Sequence, residues 1–395
     1  MVLKVLCLDG EGGYGGSSRS LYESLAAMDR RAIEPIIWCA RKGPIVERYG
    51  ALGMTCTAEP LMPRFTSLPR LSRSLYGLLR VALAFRAARP LLGRLAQAAN
   101  EADIVHFNHE GLFLLAHWLR RRCQTPIVMH LRTNLVDTPV ARWQARMISR
   151  CADRLVFITE NERASFVRHG GDPSRGVVIY NIARPPDASV TPHPVVTQDG
   201  RFTVAALANF ALVRGTDRLL DIAAELKRRG RSDIRLVIAG DMRMRGRIPS
   251  NLKAADPSAT SLDRLAKARG LDDVMLFLDH VAEPERVLTA AHALIRPSRG
   301  DDPWGRDVLE ALAAGKPVIA TGRYDRFVET GLTGVLLPEY SPGAAADAIV
   351  GLADDRATAA RLGANGRARV LALCDGKARA ADLLAVWHAA ANPVA

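Results

Sequence analysis

Asp302 and Glu310 stand eight residues apart in RPSRGDDPWGRDVLEALAAGKPV, residues 296–318. The pattern predicts a helix that opens at Gly305 and stops at Gly315, with Pro317 just beyond it. Asp302 then lies in the loop before the helix, and Glu310 about one and a half turns into it, at roughly 3.6 residues per turn. The first N–H groups of the helix, at Gly305, Arg306 and Asp307, have no carbonyl to bind within it and favour an anion. A nucleotide-sugar fits this arrangement. Its diphosphate would rest on the helix end, its ribose hydroxyls on Glu310 and its sugar near Asp302. LEALAAGKPVIAT is otherwise apolar, and a carboxylate within it needs a partner.

A second signal is GEGGYGG, residues 10–16, where Gly10, Gly12 and Gly15 fit G-x-G-x-x-G after the apolar run Val2 to Leu8. Ser17 and Ser18 then read as a helix start. A dinucleotide site expects an acid at the end of the next strand, yet EPIIWCARKG ends in Arg41 and Lys42. NAD is therefore disfavoured, and an NADP-dependent reductase stands as an alternative. Two further strand ends, IVHFNHEG and PIVMHLRTNLVDTP, carry His106, His109, His130 and Arg132. Each histidine reads equally well as a satisfied strand-end residue.

The elements that must position these residues alternate regularly. Apolar runs at 2–8, 33–39, 103–107, 126–131, 154–159 and 177–180 predict strands separated by helical segments. ARPPDASVTPHPVVTQDG then has the composition of a linker. The alternation restarts at 202–207, 234–239, 273–278, 292–296, 316–320 and 333–337. The expected fold class is α/β, with two Rossmann-like, doubly wound domains at 1–185 and 186–373 facing across a cleft, and a segment 374–395 that could cross back to the first.

Composition narrows the function classes. With 395 residues, 48% hydrophobic and 24% charged, the sequence is that of a soluble globular protein. Lys4 followed by a short strand and a glycine loop predicts no signal peptide, and no apolar run approaches the roughly 20 residues that span a bilayer. Six scattered cysteines without ligand spacing read as reduced and apolar, giving a cytosolic chain without a structural metal. The net charge of +13 is uneven, with +11 in residues 1–185 and +2 in the rest. A basic half implies an anionic partner, or only solubility. The segment 68–99 has arginines at 70, 73, 80, 86, 89 and 94 among Leu, Val, Phe and Tyr, and no acid. It reads as one or two basic amphipathic helices, suited either to an anionic membrane or to a core.

With these motifs assembled, the chain resembles the family 4 retaining glycosyltransferases, group 1, of the GT-B fold. The family's donor signature is an acid, seven residues and Glu within E-[GP]-[FW]-G-x-x-x-L-E-A-[ML]-A-x-G-x-P-V, against which Asp302 to Val318 aligns. IRLVIAGD (234–241), DDVMLFLDHV (272–281), HALIRPSR, TGLTGVLL (330–337), ADRLVFITENERASFVRHG and VVIYN follow in the expected order. The resemblance implies a UDP- or GDP-linked donor, no cofactor or metal, and a glycan or lipid-linked acceptor in polysaccharide or cell-envelope glycan assembly. The cysteines and the basic segment 68–99 add the expectation of a cytoplasmic enzyme that could be peripheral at the inner face of the membrane, with no nucleic-acid partner. Gly15, Gly16, Asn209, Arg214, Gly240, Asp302, Gly305, Arg306 and Glu310 fall at donor-binding positions. Arg19, His106, His109 and His130 fall on the acceptor side, and Arg132 falls near the family's usual histidine, so that Arg132, Asp302 and Arg214 are the catalytic candidates. Two departures stand out: Asn209 replaces the usual Arg, leaving Arg214 and Arg306, next to Gly305, to carry the diphosphate, and Asp302 is one methylene shorter than the usual Glu. An inactive binding protein on the same fold is the reading these departures leave open.

Overall fold

A computed structural model describes residues 2–13, 15–65, 75–197, 199–246 and 248–392. The first half forms a parallel sheet of β1 (Leu3–Asp9), β2 (Ile33–Cys39), β3 (Thr55–Ala58), β4 (Ile104–Phe107), β5 (Ile127–Leu131), β6 (Arg154–Phe157) and β7 (Gly176–Val178), in the order β3-β2-β1-β4-β5-β6-β7. Successive β1 side chains supply two cores. Leu6 and Leu8 join one, while Leu3, Val5 and Cys7 join the other. Both faces are covered, which is why the strand is apolar without alternation.

The second sheet has the order β10-β9-β8-β11-β12-β13. Its strands are β8 (Phe202–Leu207), β9 (Ile234–Ala239), β10 (Met275–Phe277), β11 (Ala293–Arg296), β12 (Val318–Thr321) and β13 (Gly334–Leu337). All of the expected strands form, and β3 is an addition. It has only four residues, TCTA, half-exposed at a sheet edge, so no apolar run announces it. In each sheet the strand order reverses beside the first strand, between β1 and β4 and between β8 and β11. Ligands of open α/β sheets bind outside the carboxyl ends at such a reversal.

The chain divides into two compact units, Met1–Ile182 with Cys374–Ala395, and Ala183–Leu373. The helix Gly376–Ala391 packs on the first unit through Leu383, Val386, Trp387 and Ala390. All six cysteines are free, and five are buried. No helix among the described residues is long and apolar enough to cross a membrane. Within the basic segment, Arg70 and Arg73 lie outside the described residues. Two helices, Leu75–Ala87 and Arg89–Asn100, follow, and the second buries Leu91, Leu92, Leu95 and Ala99.

Candidate functional site

The helix Arg306–Ala313 begins as expected, with Gly305 at its N-cap and no side chain capping it. Asp302 lies in the loop before it. Its Oδ2 accepts a 2.7 Å hydrogen bond from Nη2 of Arg296, the last residue of β11, and Arg296 Nε donates to the Asp302 carbonyl at 3.0 Å. The same guanidinium reaches Asp307 at 2.8 and 2.9 Å through Nη1. Arg296 is only 7% exposed, and burial opposes its charge, but two carboxylates more than offset that and raise its pKa. Asp302 thus has one oxygen clamped, while Oδ1 is buried without a hydrogen-bond partner. A Cβ at Gly305 would collide with Arg296 and Asp307, so the glycine is required by the clamp. Arg296 lay in the quoted HALIRPSR, but nothing in its spacing singled it out.

Glu310 lies one turn after Arg306, and Arg306 Nε donates to Glu310 Oε1 at 3.3 Å, both side chains being largely buried. Positions i and i+4 share a helix face, which is why the two side chains meet. Arg214 ends a short turn, Leu212–Arg214, and is exposed. It lines a small cavity with Thr216, Arg296, Pro297 and Asp307 at the carboxyl ends of β8 and β11. Gly215 next to it has φ +70°, and a Cβ there would strike the Pro297 carbonyl. Asn209 accepts the Asp241 N–H at 2.9 Å, tying the loops after β8 and β9 together. Gly240, with φ +149°, lets that loop pass against the Ala208 carbonyl.

In the first unit, Arg132 follows β5 and is 9% exposed. Its Nε donates to the Asn108 carbonyl at 2.8 Å and Nη1 to Asn181 Oδ1 at 3.1 Å. The turn is fixed by Glu110, which accepts the Arg132 N–H at 2.9 Å and the Thr133 hydroxyl. Asn108 and Glu110 sit beside the histidines of IVHFNHEG and were not anticipated. Asn108 also donates to the Ser17 carbonyl at 3.0 Å, joining the β4 end to the glycine loop.

The three histidines separate. His106 is fully buried, and its Nδ1 accepts the Trp387 indole N–H at 3.2 Å. Burial, then the Arg132 charge, pushes its pKa down to about 3. His130 is also interior, 5.6 Å from the His106 ring, and its pKa is lowered by the same two causes. Acceptor-side roles for both are corrected, since their rings belong to the core. His109 lines a cavity, with Gly10, Ser17 and Arg64, while its Nδ1 accepts the Gly111 N–H at 2.9 Å. Gly15 caps the helix Gly16–Ala27, Gly16 has φ +49°, and Arg19 Nε donates to Glu23 at 2.9 Å. The dinucleotide alternative loses its support here. Gly12 is demanded by the Arg41 carbonyl rather than by a ligand, and Glu11 pairs with both Arg41 and Arg64.

Two parallel α/β units, with one acid before the helix beyond β11 and a second acid inside it, define a glycosyltransferase of the GT-B type. The family described as Glycosyl transferases group 1 matches residues 192–369, and the Glycosyl transferase 4-like domain matches residues 15–181. The chain belongs to the group 1, family 4 glycosyltransferases. Among relatives, Alpha-D-kanosaminyltransferase of Streptomyces kanamyceticus is 27% identical over 64% of each chain. That stretch is just under two thirds of the relative's length. D-inositol 3-phosphate glycosyltransferase of Kineococcus radiotolerans is 27% identical over 92% of this chain and 88% of its own. Anabaena Alr3699/HepE, solved in complex with UDP and glucose, superposes with a TM-score of 0.77 at 20% identity, covering 98% of this chain and 99% of that one.

Proposed function

We propose that this protein moves a sugar from a UDP- or GDP-linked donor to a glycan or lipid-linked acceptor, with retention at the anomeric carbon, in polysaccharide or cell-envelope glycan assembly. The observation that carries the reading is the pair of acids about an uncapped helix start, Asp302 held by Arg296 and Glu310 one turn beyond Arg306. The helix N-terminus and Arg214 stabilise the leaving diphosphate, and Glu310 exchanges Arg306 for the ribose hydroxyls. Asp302 Oδ1 accepts a sugar hydroxyl. Arg132 supplies positive charge on the acceptor unit, where His109 and Arg19 are the remaining acceptor-side groups. In a retaining transfer of this kind the acceptor oxygen bonds to the anomeric carbon as the bond to the diphosphate breaks. The acceptor proton passes to the departing phosphate oxygen, and the protein contributes position and charge.

Metal independence belongs to the same reading. Asp301 Oδ1 accepts the Arg323 N–H at 2.7 Å and the Tyr324 N–H at 3.2 Å, and Asp302 is committed to Arg296, so the adjacent acids serve the loop. The enzyme is read as cytoplasmic and peripheral at the inner face of the membrane, where a lipid-linked acceptor is met. A panel of UDP- and GDP-sugars, assayed for nucleotide release in chelator and compared with Arg214→Ala, tests the assignment. Release from one donor class, lost in Arg214→Ala, is the expected result. Normal turnover by Arg214→Ala would remove leaving-group stabilisation from this residue.

A further inference from the structure

The helix Leu75–Ala87 is apolar on two opposite faces. Val81, Ala84 and Phe85 pack against the first unit's core and account for the inner face. Leu75, Leu78, Leu79 and Leu83, spaced as one helical stripe, lie on the outer face and are 87%, 49%, 54% and 52% exposed. A second apolar face on a helix belongs in a core or against a non-aqueous phase, and this stripe is not in a core. Its last turn carries Arg86, and Arg89 follows. With Arg122 they line an open groove that also contains Phe85, Leu92 and Trp118. Arg122 lies 4.1 Å over the Trp118 ring. No ion pair of Arg86, Arg89 or Arg122 occurs among the described residues. No acid occurs anywhere from residue 60 to residue 100.

We propose that this surface docks the protein on an anionic bilayer, the leucine stripe entering the acyl boundary and Arg86, Arg89 and Arg122 holding lipid phosphates. Two features favour lipid over a second copy of the chain. An isologous contact would bring each arginine cluster toward its own image, and like charges there oppose association. Apolar residues bordered by basic ones also match the layering of acyl chains beneath anionic headgroups. The docking rests on the preceding reading only for its purpose, which is to meet a lipid-linked acceptor.

Co-sedimentation of the full chain with vesicles tests it, using phosphatidylcholine alone and phosphatidylcholine mixed equally with phosphatidylglycerol. The protein is expected to pellet with the mixed vesicles, to stay in solution with the neutral ones and to be released by salt. An arginine near an anionic leaflet changes partitioning by about fivefold, so Arg86→Glu with Arg89→Glu should weaken binding about twentyfold or more. Leu79→Ser with Leu83→Ser should weaken it at low salt as well, which a purely ionic attraction would not produce. Both variants alter exposed side chains and should keep the nucleotide release of the unaltered chain, so lipid binding and the donor reading fail separately. Absence from the anionic pellet, or variants that pellet like the unaltered chain, would overturn the docking. So would a dimer in sedimentation velocity that Leu79→Ser with Leu83→Ser dissolves, since the stripe would then be a contact between copies.

Discussion

Arg296 shows how a buried charge organises a site. A guanidinium removed from water is retained only when paired and hydrogen-bonded, and this one satisfies two carboxylates and a carbonyl at once. The planar fork does this, whereas an ammonium would meet fewer acceptors at fixed angles. Arg296→Lys should therefore keep the fold and lower donor turnover more than nucleotide affinity, because the loosened group is Asp302. Thermal shifts with UDP and GDP, set beside nucleotide release from the sugar donor, separate the two. Equal losses in both would reduce Arg296 to a structural residue. Glu310→Ala should weaken nucleotide binding by about 1.5–3 kcal/mol, the usual cost of losing a hydrogen bond to a charged group. Titration calorimetry giving unchanged affinity would detach Glu310 from the ribose.

At the level of elements, the helix Arg306–Ala313 was legible because glycine, proline and apolar spacing mark its ends in the sequence itself. The same holds for the strands, whose runs are continuous because both sheet faces are covered. What escaped were contacts made across the sheet. Arg296 meets Asp307 from another element, and Asn108 meets Arg132 from a neighbouring strand end, so no local spacing carries either pairing. The histidines failed for the same reason. A histidine at a strand end is identical in sequence whether the chain's last helix covers it, as at His106, or a cavity lies beside it, as at His109. The helix start also makes a prediction of its own. Gly305→Ala places a methyl group against Arg296 and Asp307, so the clamp must shift. Turnover should fall about tenfold or more, as small displacements of positioned groups do. Circular dichroism should be unchanged, and an active Gly305→Ala would show that the clamp tolerates displacement.

Across the molecule, the chain's end completes its beginning. Trp387, fully buried, donates to His106 at the centre of the first sheet, so the unit begun at β1 is closed only after the second unit has been traversed. That joint carries a pH dependence. The Trp387 N–H occupies His106 Nδ1, and burial, with the Arg132 charge beside it, holds the ring neutral in the folded state down to about pH 3. In the unfolded chain it takes a proton near its ordinary pKa of about 6.5. The unfolded state thus binds more protons below that value, and His106 lowers stability as pH falls from about 6.5 toward 3. By pH 4 the loss is about 3 kcal/mol, as an order of magnitude, from roughly 1.4 kcal/mol per unit. His130 acts in the same sense, whereas buried Asp9, whose pKa is raised chiefly by burial, acts in the opposite one. His106→Gln keeps an acceptor for the indole but does not titrate, so it isolates the one contribution. Chemical denaturation at pH 7 and pH 4 should show the His106→Gln chain losing about 3 kcal/mol less than the unaltered chain across that interval. Equal losses would mean that His106 takes a proton without leaving the core.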